Sequence, residues 1–222
     1  MKVGDIPDFT PVLGARAFQF GEESGFFSPL LLLGDGASEP AHGLLSCLIL
    51  GGQRAVVADG ANCFDAYRLA RAARSVRRPI PTLLSAVRIS RAFTWQQFLS
   101  LLETEIAAEA ARTGSRWVFV LGPLDLLADH ELKPFPALRV ARRVAEALDG
   151  IARMGLGVIA MQSEGPLRRA GRETLLSPLK RACRNTIEFR QPAERLEAAG
   201  RDRLRSITGS PAQLDLPLPG KA

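Results

Sequence analysis

Three short runs of hydrophobic residues, each ending in glycine or a polar residue, divide the middle of the chain. They span residues 54–60, 116–122 and 156–162 and are rich in β-branched and aromatic side chains. Runs of this kind are typical of strands that are covered on both faces. The pattern therefore predicts three buried strands.

Segments with hydrophobic residues at helical spacing lie between these strands, at 66–77, 95–112 and 137–154. Spacings of three and four residues place such side chains on one face of a helix. In the second segment that face comprises Phe98, Leu101, Leu102, Ile106 and Ala110. Strands that alternate with helices predict an α/β fold, a mostly parallel sheet with helices on both faces. A ligand site in such a fold is expected at the carboxyl ends of the strands.

Further strands are predicted at 30–34, 87–94, 185–190 and 204–208. We therefore divide the chain into a lead-in at 1–29 that docks on the core, a core domain at 30–211 and a loose tail at 212–222. The lead-in carries scattered phenylalanines, which either pack against the same domain, the interpretation we favour, or form an interaction surface. The candidates for such a surface are Phe9, Phe18 and Phe20.

Composition fits one globular domain with a sizeable core, since 46% of the 222 residues are hydrophobic and 23% are charged. The formal charge is +6, and only four of the 29 basic residues are lysines. Arginine donates hydrogen bonds in pairs to phosphate groups, so this bias favours an anionic partner. Codon usage in a GC-rich genome is the alternative explanation of the arginine content.

Three widely spaced cysteines and two histidines predict neither a disulfide framework nor a zinc site. The first ten residues are not typical of a signal peptide, and the longest apolar run is too short to span a bilayer. We expect a cytoplasmic protein, with association with the nucleoid as a variant of that expectation, and no membrane partner.

A glycine-bearing loop separates the strand at 30–34 from an apolar helical stretch at 44–50, as in a phosphate-binding loop of the pattern G-x-x-x-x-G-K-[ST]. The lysine and the Mg²⁺-binding hydroxyl of that pattern are absent in either register of this loop. We favour an ordinary turn, with a remnant of a nucleotide site as the alternative. The loop residues of the remnant are Gly34, Asp35, Gly36 and His42.

Two acidic residues flank the turn after the strand at 54–60, namely Asp59 and Asp65. Either side chain would serve as an acid near a ligand, but aspartate at this place more often caps a helix. We include Asp59 in the remnant of the nucleotide site and predict no metal ligands.

A basic segment follows the strand at 156–162, and it is the strongest candidate for contact with a phosphate backbone. Its candidate residues are Arg168, Arg169, Arg172, Lys180 and Arg181. No aromatic residue is interleaved there, so stacking of bases is not indicated.

A second basic series lies on the predicted helix 66–77 and just after it. It comprises Arg68, Arg71, Arg74, Arg77 and Arg78. We favour a solvated face slightly over contact with nucleic acid, because this helix is expected to lie beside the sheet.

The order of these features resembles the core ATPase domain of RecA/RadA-type recombinases and their paralogues, over residues 30–211. Residues 87–94 with Gln97 and two leucines resemble the strand and helix of that family that carry Arg-Ala-Phe, and residues 158–162 resemble its strand that ends in Asn-Gln. The resemblance implies that Gln162 occupies the position of the glutamine that senses the nucleotide and leads into the DNA-binding loop. Residues 203–207 with a following Ser-Pro resemble the last strand of the recombinase core.

The chain departs from this family at each part of the catalytic machinery. The lysine and hydroxyl of the phosphate loop are missing, Gly122 stands where the Mg²⁺-ordering aspartate is expected, and Gly60 or Ala61 replaces the catalytic glutamate. These parts act together in phosphoryl transfer. We therefore expect a pseudo-ATPase with no catalytic residues and no required cofactor, ATP and Mg²⁺ included.

The resemblance implies a non-catalytic recombinase paralogue that assists homologous recombination or DNA repair. Its expected partners are DNA, bound through backbone phosphates, and a recombinase or other repair protein, within a homo- or hetero-oligomer. One alternative is a divergent ATPase that uses His42 or arginines in place of the lysine. Another is a regulatory protein-interaction module, comparable to RecA-like proteins of mutagenesis cassettes or to cell-division inhibitors.

Overall fold

Six parallel strands form one sheet in the part of the chain that the computed structural model describes, residues 28–128 and 132–189. Their order across the sheet is β3-β2-β4-β5-β1-β6. The strands are β1 (Leu30–Leu33), β2 (Ala55–Asp59), β3 (Val87–Arg91), β4 (Trp117–Leu121), β5 (Gly157–Gln162) and β6 (Asn185–Glu188). The predicted α/β class is confirmed, and the arrangement is consistent with a RecA-like fold.

Helices cover both faces of this sheet. They are α1 (Ser38–Leu50), α2 (Ala66–Ser75), α3 (Ile80–Leu84), α4 (Trp95–Ser100), α5 (Ile106–Thr113), α6 (Pro134–Arg153), α7 (Gly165–Arg169) and α8 (Leu176–Ala182). A π-helical stretch, Leu101–Glu105, joins α4 to α5, and short 3-10 turns lie at Asp125–Ala128 and Glu173–Leu175. Helices α1, α2 and α3 pack on one face, while α4, α5, α6, α7 and α8 pack on the other.

Alternate residues of the central strands supply these two cores. In β2, Val56 and Ala58 belong to the core beneath α4 to α8, whereas Ala55 and Val57 belong to the core beneath α1 to α3. Successive side chains of a strand point to opposite faces, so a strand with helices on both sides is hydrophobic throughout. This explains the continuous apolar runs and confirms the prediction that these strands are covered on both faces.

The predicted apolar face of the helical segment 95–112 is buried as expected, from Phe98 to Ala110. Its residues recur mainly at intervals of four. In a regular α-helix each such interval rotates the side chain by about 40° beyond a full turn, so the apolar face would move away from the sheet. A π-helical turn is wider, and its presence at Leu101–Glu105 returns the later residues toward the sheet.

Two elements differ from the sequence-based prediction. Helix α1 begins at Ser38, although we predicted a loop over 35–43 because of its glycines and proline. Pro40 lies in the first helical turn, where the missing N–H has no intrahelical partner in any case. The basic segment after β5, predicted as a loop, contains helix α7 and a 3-10 turn instead.

The connections leave β1 and β5 toward opposite edges of the sheet. From β1 the chain crosses to β2, and from β5 it crosses back past β1 to β6. A change of direction between adjacent strands opens a crevice at their carboxyl ends. The predicted lead-in up to residue 27, the predicted strand at 204–208 and the tail lie outside the described residues, so the predicted domain boundaries stay predictions.

Candidate functional site at the carboxyl edge of the sheet

The candidate residues from separate parts of the sequence meet at the carboxyl edge of the sheet. Gly34 and Asp35 follow β1, Asp59 ends β2, Gly122 follows β4 and Gln162 ends β5. This is the edge at which α/β proteins bind ligands. The fold therefore places Gly34, Asp35, Asp59 and Gln162 on one edge, with β4 and β5 between Asp59 and the turn after β1.

The glycine-bearing loop after β1, for which we favoured an ordinary turn over the remnant of a phosphate loop, is a short turn at residues 34–37 that includes Gly36. The N–H of Gly34 donates to the Gln162 carbonyl at 2.9 Å, and the N–H of Ala37 donates to the Gly34 carbonyl at 3.0 Å. Gly34 has a φ of +114°, and a Cβ there would lie 2.1 Å from the Phe189 carbonyl oxygen. The turn is thus folded back on itself and packed against the end of β6, which leaves it too short to encircle a polyphosphate.

Asp35 occupies the crevice between β1 and β5. Its Oδ1 accepts hydrogen bonds from the Ser163 hydroxyl at 2.6 Å and from the Gly165 N–H at 2.7 Å, and its Oδ2 lies 3.7 Å from Arg168. Burial raises the pKa of Asp35, but these hydrogen bonds and the Arg168 charge outweigh it, so the pKa is below its ordinary value of 3.8. The donors available to an anion at this crevice are therefore used by a carboxylate of the chain itself.

His42 is buried, at 5% exposure, and both of its ring nitrogens have partners. Nδ1 lies 2.7 Å from the Ser38 carbonyl, to which it donates, and Nε2 accepts from the Asp65 N–H at 3.2 Å. This pattern requires the neutral tautomer with its proton on Nδ1. His42 joins α1 to the start of α2, so it does not stand in for the missing lysine.

Asp59 is completely buried and accepts several hydrogen bonds. Its carboxylate oxygens accept from the Cys63 and Phe64 N–H groups at 3.0 Å each, and Arg91 donates to it at 3.2 Å. The capping role belongs to Asp65, whose side chain accepts from the Tyr67 N–H at the start of α2. Asp59 therefore organises the turn before α2 and has no free face toward a ligand.

Gln162 holds the loop after β4. Its Oε1 accepts from the Leu124 N–H at 2.9 Å, and its Nε2 donates to the Asp125 carboxylate and to the Ser163 carbonyl. Burial raises the pKa of Asp125, and the nearby Asp59 charge adds to this rise, while the hydrogen bond from Gln162 and the charge of Arg169 oppose it. Every polar atom of the Gln162 side chain is thus committed within the chain.

The two glycines that replace expected acidic residues leave no space for a side chain. A Cβ at Gly60 would lie 2.9 Å from both the Phe98 ring and the Gly122 carbonyl oxygen. Gly122 has a φ of +62°, and a Cβ there would lie 2.4 Å from that of Ala61. Packing therefore closes both positions, and at Gly122 the left-handed backbone adds to it.

A groove of about 610 Å³ opens beside Asp125. It is lined by Phe93, Thr94, Trp95, Gln96, Asp125, Leu126 and Leu132. Phe93 is 72% exposed, so the groove presents an aromatic side chain to solvent. Its mixture of aromatic and aliphatic side chains with one carboxylate suits an apolar side chain of a protein partner.

Arg172 is not on the surface, although we predicted a phosphate contact for it. The residue is 9% exposed, and its guanidinium donates to the Leu127 carbonyl at 2.7 Å and to the Leu132 carbonyl. A loop with free carbonyl groups next to an arginine gives the side chain partners inside the protein. The sequence pattern does not distinguish this arginine from its exposed neighbours.

Three other members of the predicted basic cluster are exposed but have partners. Arg168 lies 3.3 Å from Glu164 as well as near Asp35, Lys180 lies 3.4 Å from Glu188, and Arg181 donates to the Ser177 hydroxyl at 2.9 Å. Arg169 is exposed, and its charge lowers the pKa of Asp125. Carboxylates therefore offset the positive charges of Arg168 and Lys180 locally.

Arg91 and Asp125 also belong to this edge, and neither was predicted from the sequence as part of a site. Arg91 and Asp59 end neighbouring strands and are in register as Cα partners, so opposite charges at two strand ends were an available signal. The role of Asp125 depends on the shape of the loop after β4, which no pattern reveals. The predicted interaction residues Phe9, Phe18 and Phe20 lie outside the described residues.

Within residues 28–128 and 132–189 no group of three or more His, Cys, Asp or Glu side chains is placed to hold a metal ion. The described helices also include none that is long and apolar enough to cross a membrane. No protein-family model matches the chain, and a search of curated proteins gave no match either.

Proposed function

We propose that the protein is a non-catalytic RecA/RadA-like recombinase paralogue that assists homologous recombination or DNA repair by binding DNA, a recombinase, or both. The observation that carries this proposal is the internal use of the polar groups at the carboxyl edge. Asp35, His42, Asp59 and Gln162 each bond to other parts of the same chain. The edge at which this fold class binds ligands has a structural role here.

The electrostatics and packing of this edge disfavour both the binding and the hydrolysis of ATP there. A polyphosphate at the crevice would meet the negative charge of Asp35 and would have to displace it from the Ser163 hydroxyl and the Gly165 N–H. Glycines at positions 60 and 122 exclude the carboxylates that metal-assisted phosphoryl transfer requires. A divergent ATPase that uses His42 is disfavoured because both ring nitrogens of that residue are engaged.

DNA is the partner that best fits the charge of the chain. A formal charge of +6 with a large excess of arginine over lysine suits a phosphate backbone, which arginine contacts in pairs of hydrogen bonds. A protein that binds DNA in this way would act in the cytoplasm, at the nucleoid. Assembly with a recombinase would bring it to its substrate.

A second candidate function, a regulatory protein-interaction module, is favoured by exposed aromatic residues. Phe93 and Phe135 are each 72% exposed, and Phe93 lines the groove beside Asp125. Exposed aromatic side chains at a groove are typical anchors for a protein partner. For a protein-only module, Phe93→Ala with Phe135→Ala would abolish function while DNA binding would be absent from the start.

The test is fluorescence anisotropy with labelled DNA, single-stranded and duplex, at salt from about 50 to about 300 mM. Each titration is made with and without ATP and Mg²⁺, and a catalytically active recombinase serves as the control for nucleotide dependence. We expect binding that weakens steeply with salt and is unchanged by ATP. Binding that requires ATP would contradict the pseudo-ATPase proposal, and no binding at the lowest salt would contradict the DNA contact.

A further inference from the structure

Helix α2 and the turn after it carry the most concentrated positive charge in the described part of the chain. Between residues 66 and 79 there are five arginines and no acidic residue. Tyr67, at the start of this segment, is 82% exposed. We refer to Tyr67, Arg71, Arg74, Arg77 and Arg78 as the α2 stripe.

The arginines of the α2 stripe are exposed, and no carboxylate in the described ranges offsets their charge. Arg68, which precedes them, lies 3.5 Å from Asp65, but the stripe arginines form no ion pair or side-chain hydrogen bond with any residue in the described ranges. This distinguishes them from Arg168 and Lys180, which face carboxylates. Exposed like charges on one surface repel each other, and a polyanion relieves that repulsion.

Spacing places the members of the stripe in a row. Tyr67, Arg71 and Arg74 recur at intervals of four and three residues, which puts them on one face of α2. At a rise of about 1.5 Å per residue they span roughly 10 Å along the helix. The opposite face, with Leu69 and Ala73, is buried against the sheet, so α2 has no free apolar face for insertion into a bilayer.

The end of α2 extends the row. Arg77 has a φ of +54°, its N–H donates to the Arg74 carbonyl at 3.1 Å, and the Arg78 N–H donates to the Ala73 carbonyl at 2.9 Å. This is a left-handed helix end, a position that glycine or asparagine usually occupies. An arginine there is conformationally costly, and strain of this kind is more common where a side chain has a function.

We propose that the α2 stripe binds single-stranded nucleic acid, with the arginines on successive phosphates and Tyr67 stacked on a base. An exposed aromatic ring beside unpaired guanidinium groups is the arrangement that recognises unpaired bases and their backbone. A duplex would offer the phosphates but no free base face for the tyrosine. The proposal rests on the DNA binding proposed above and assigns it to this surface instead of the segment after β5.

The test compares two triple variants of equal charge in the anisotropy assay with a single strand of about 40 nucleotides. The stripe variant is Arg71→Gln, Arg74→Gln, Arg78→Gln, and the control is Arg116→Gln, Arg139→Gln, Arg142→Gln. The control arginines are also exposed and without ion pairs in the described ranges. We expect the stripe variant to bind at least about tenfold more weakly at low salt, with a salt slope smaller by about 2, while the control keeps most of the affinity.

Two single variants test the geometry. Tyr67→Ala is expected to weaken binding of the single strand about fivefold or more and to change duplex binding little, because only the single strand offers stacking. Arg77→Gly removes one positive charge, so it is expected to weaken binding. It also relieves the strain of a non-glycine residue in the left-handed conformation, so the melting temperature is expected not to fall. That combination excludes unfolding as the cause of weaker binding.

Other outcomes have definite meanings. Equal losses in the stripe variant and its control would overturn the stripe while leaving DNA binding in place. Binding of single-stranded RNA but not DNA would support the stripe and overturn the proposed role in recombination. Binding to vesicles of anionic lipid with no binding to either nucleic acid would overturn both.

Discussion

The guanidinium of Arg91 lies 3.2 Å from the carboxylate of Asp59, a side chain with no exposure to solvent. The two residues end neighbouring strands and are in register as Cα partners. Arg91 also donates to the Phe64 carbonyl at 3.1 Å, so the pair fixes both the ends of β2 and β3 and the turn before α2. A carboxylate at the edge where ligands bind in this fold class is thereby a structural anchor.

Arg91→Met should destabilise the fold, because it leaves the Asp59 carboxylate buried without its counter-charge. We expect a loss of about 2–3 kcal/mol in the free energy of unfolding at neutral pH, measured by urea denaturation. The control is Arg88→Met on the same edge strand, whose arginine is 4.0 Å from its nearest carboxylate and more exposed. That change should cost less than about 1 kcal/mol.

A double-mutant cycle with Asp59→Asn separates the pair from its surroundings. The combined variant should lose less stability than the sum of the two single variants, since removal of the buried charge makes the missing guanidinium less costly. Strict additivity would show that the pair is not coupled.

Gly122→Ala tests whether packing closes the position of the expected Mg²⁺-ordering aspartate. The matched control is Gly114→Ala, because Gly114 has a similar φ of +65° but no atom within 4 Å of its added Cβ. The control should cost about 1 kcal/mol from backbone conformation alone. Gly122→Ala should cost about 1–3 kcal/mol more, because its Cβ meets that of Ala61.

Rescue by a second change identifies the cause. Ala61→Gly in the Gly122→Ala background should recover part of the lost stability, as measured by urea denaturation. Equal losses of stability in Gly114→Ala and Gly122→Ala would show that packing does not close position 122. The site would then lack only the carboxylate.

The sheet was predictable from sequence because strands that are buried on both faces consist almost entirely of apolar residues. Strands such as β2, which is buried throughout, read as continuous apolar runs, and the apolar face from Phe98 to Ala110 reads at helical spacing. These signals depend on a residue's own type and on its near neighbours. The same local reading failed at Pro40, where a helix-breaking residue is tolerated in the first turn of α1.

The candidate site was only partly predictable because its bonds connect distant parts of the chain. Asp35 meets Gly165, and Gln162 meets Leu124, through loops whose shapes depend on the completed sheet. Charge counts gave Arg172 and Arg168 equal weight, but one is buried against backbone carbonyls and the other is exposed. Which arginines are offset by carboxylates follows from the fold and not from their number.

Asp35→Asn should reduce stability at neutral pH and change its pH dependence. The pKa of Asp35 is lowered in the fold, so its ionised form contributes stability above its ordinary pKa of 3.8 and loses it as pH falls through the lower folded pKa. We expect a loss of roughly 1 kcal/mol at about pH 7. Urea denaturation at about pH 7 and about pH 3 should show the difference from the unmodified protein shrinking in acid.

Ser163→Ala is the partner variant for this measurement, because the Ser163 hydroxyl donates to the same carboxylate. It should show a smaller loss with the same sign of pH dependence. A difference that stays constant across the pH range would mean that the Asp35 carboxylate does not contribute through its charge.

Asp125→Asn should have the opposite pH dependence. Burial raises the pKa of Asp125, so the folded state binds its proton more tightly than the unfolded state and loses stability as pH rises from about 4 through the folded pKa. Asparagine removes this titration and keeps an oxygen to accept the hydrogen bond from Gln162. The variant should therefore gain stability relative to the unmodified protein between about pH 4 and about pH 7, in the same denaturation series.

Asp35→Asn serves as the comparison for Asp125→Asn. At neutral pH the first variant is expected to lose stability and the second to gain it, although both carboxylates lie at the same edge of the sheet. A shared loss in both variants at neutral pH would contradict the raised pKa of Asp125. It would point to an ionised Asp125 that is stabilised by Arg169.

Arg77→Gly should stabilise the protein while it removes a charge from the α2 stripe. Arg77 adopts a φ of +54° in the turn that ends α2, a conformation that costs glycine nothing and other residues about 0.5–1 kcal/mol. We expect a gain of that size in the free energy of unfolding by urea denaturation, and Arg77→Asn should give part of it. Arg74→Gly, inside the same helix, should instead lose about 1 kcal/mol because glycine weakens a helix interior. A loss of stability in Arg77→Gly would show that the guanidinium itself holds the helix end, and Arg77 would then have to be excluded from the stripe.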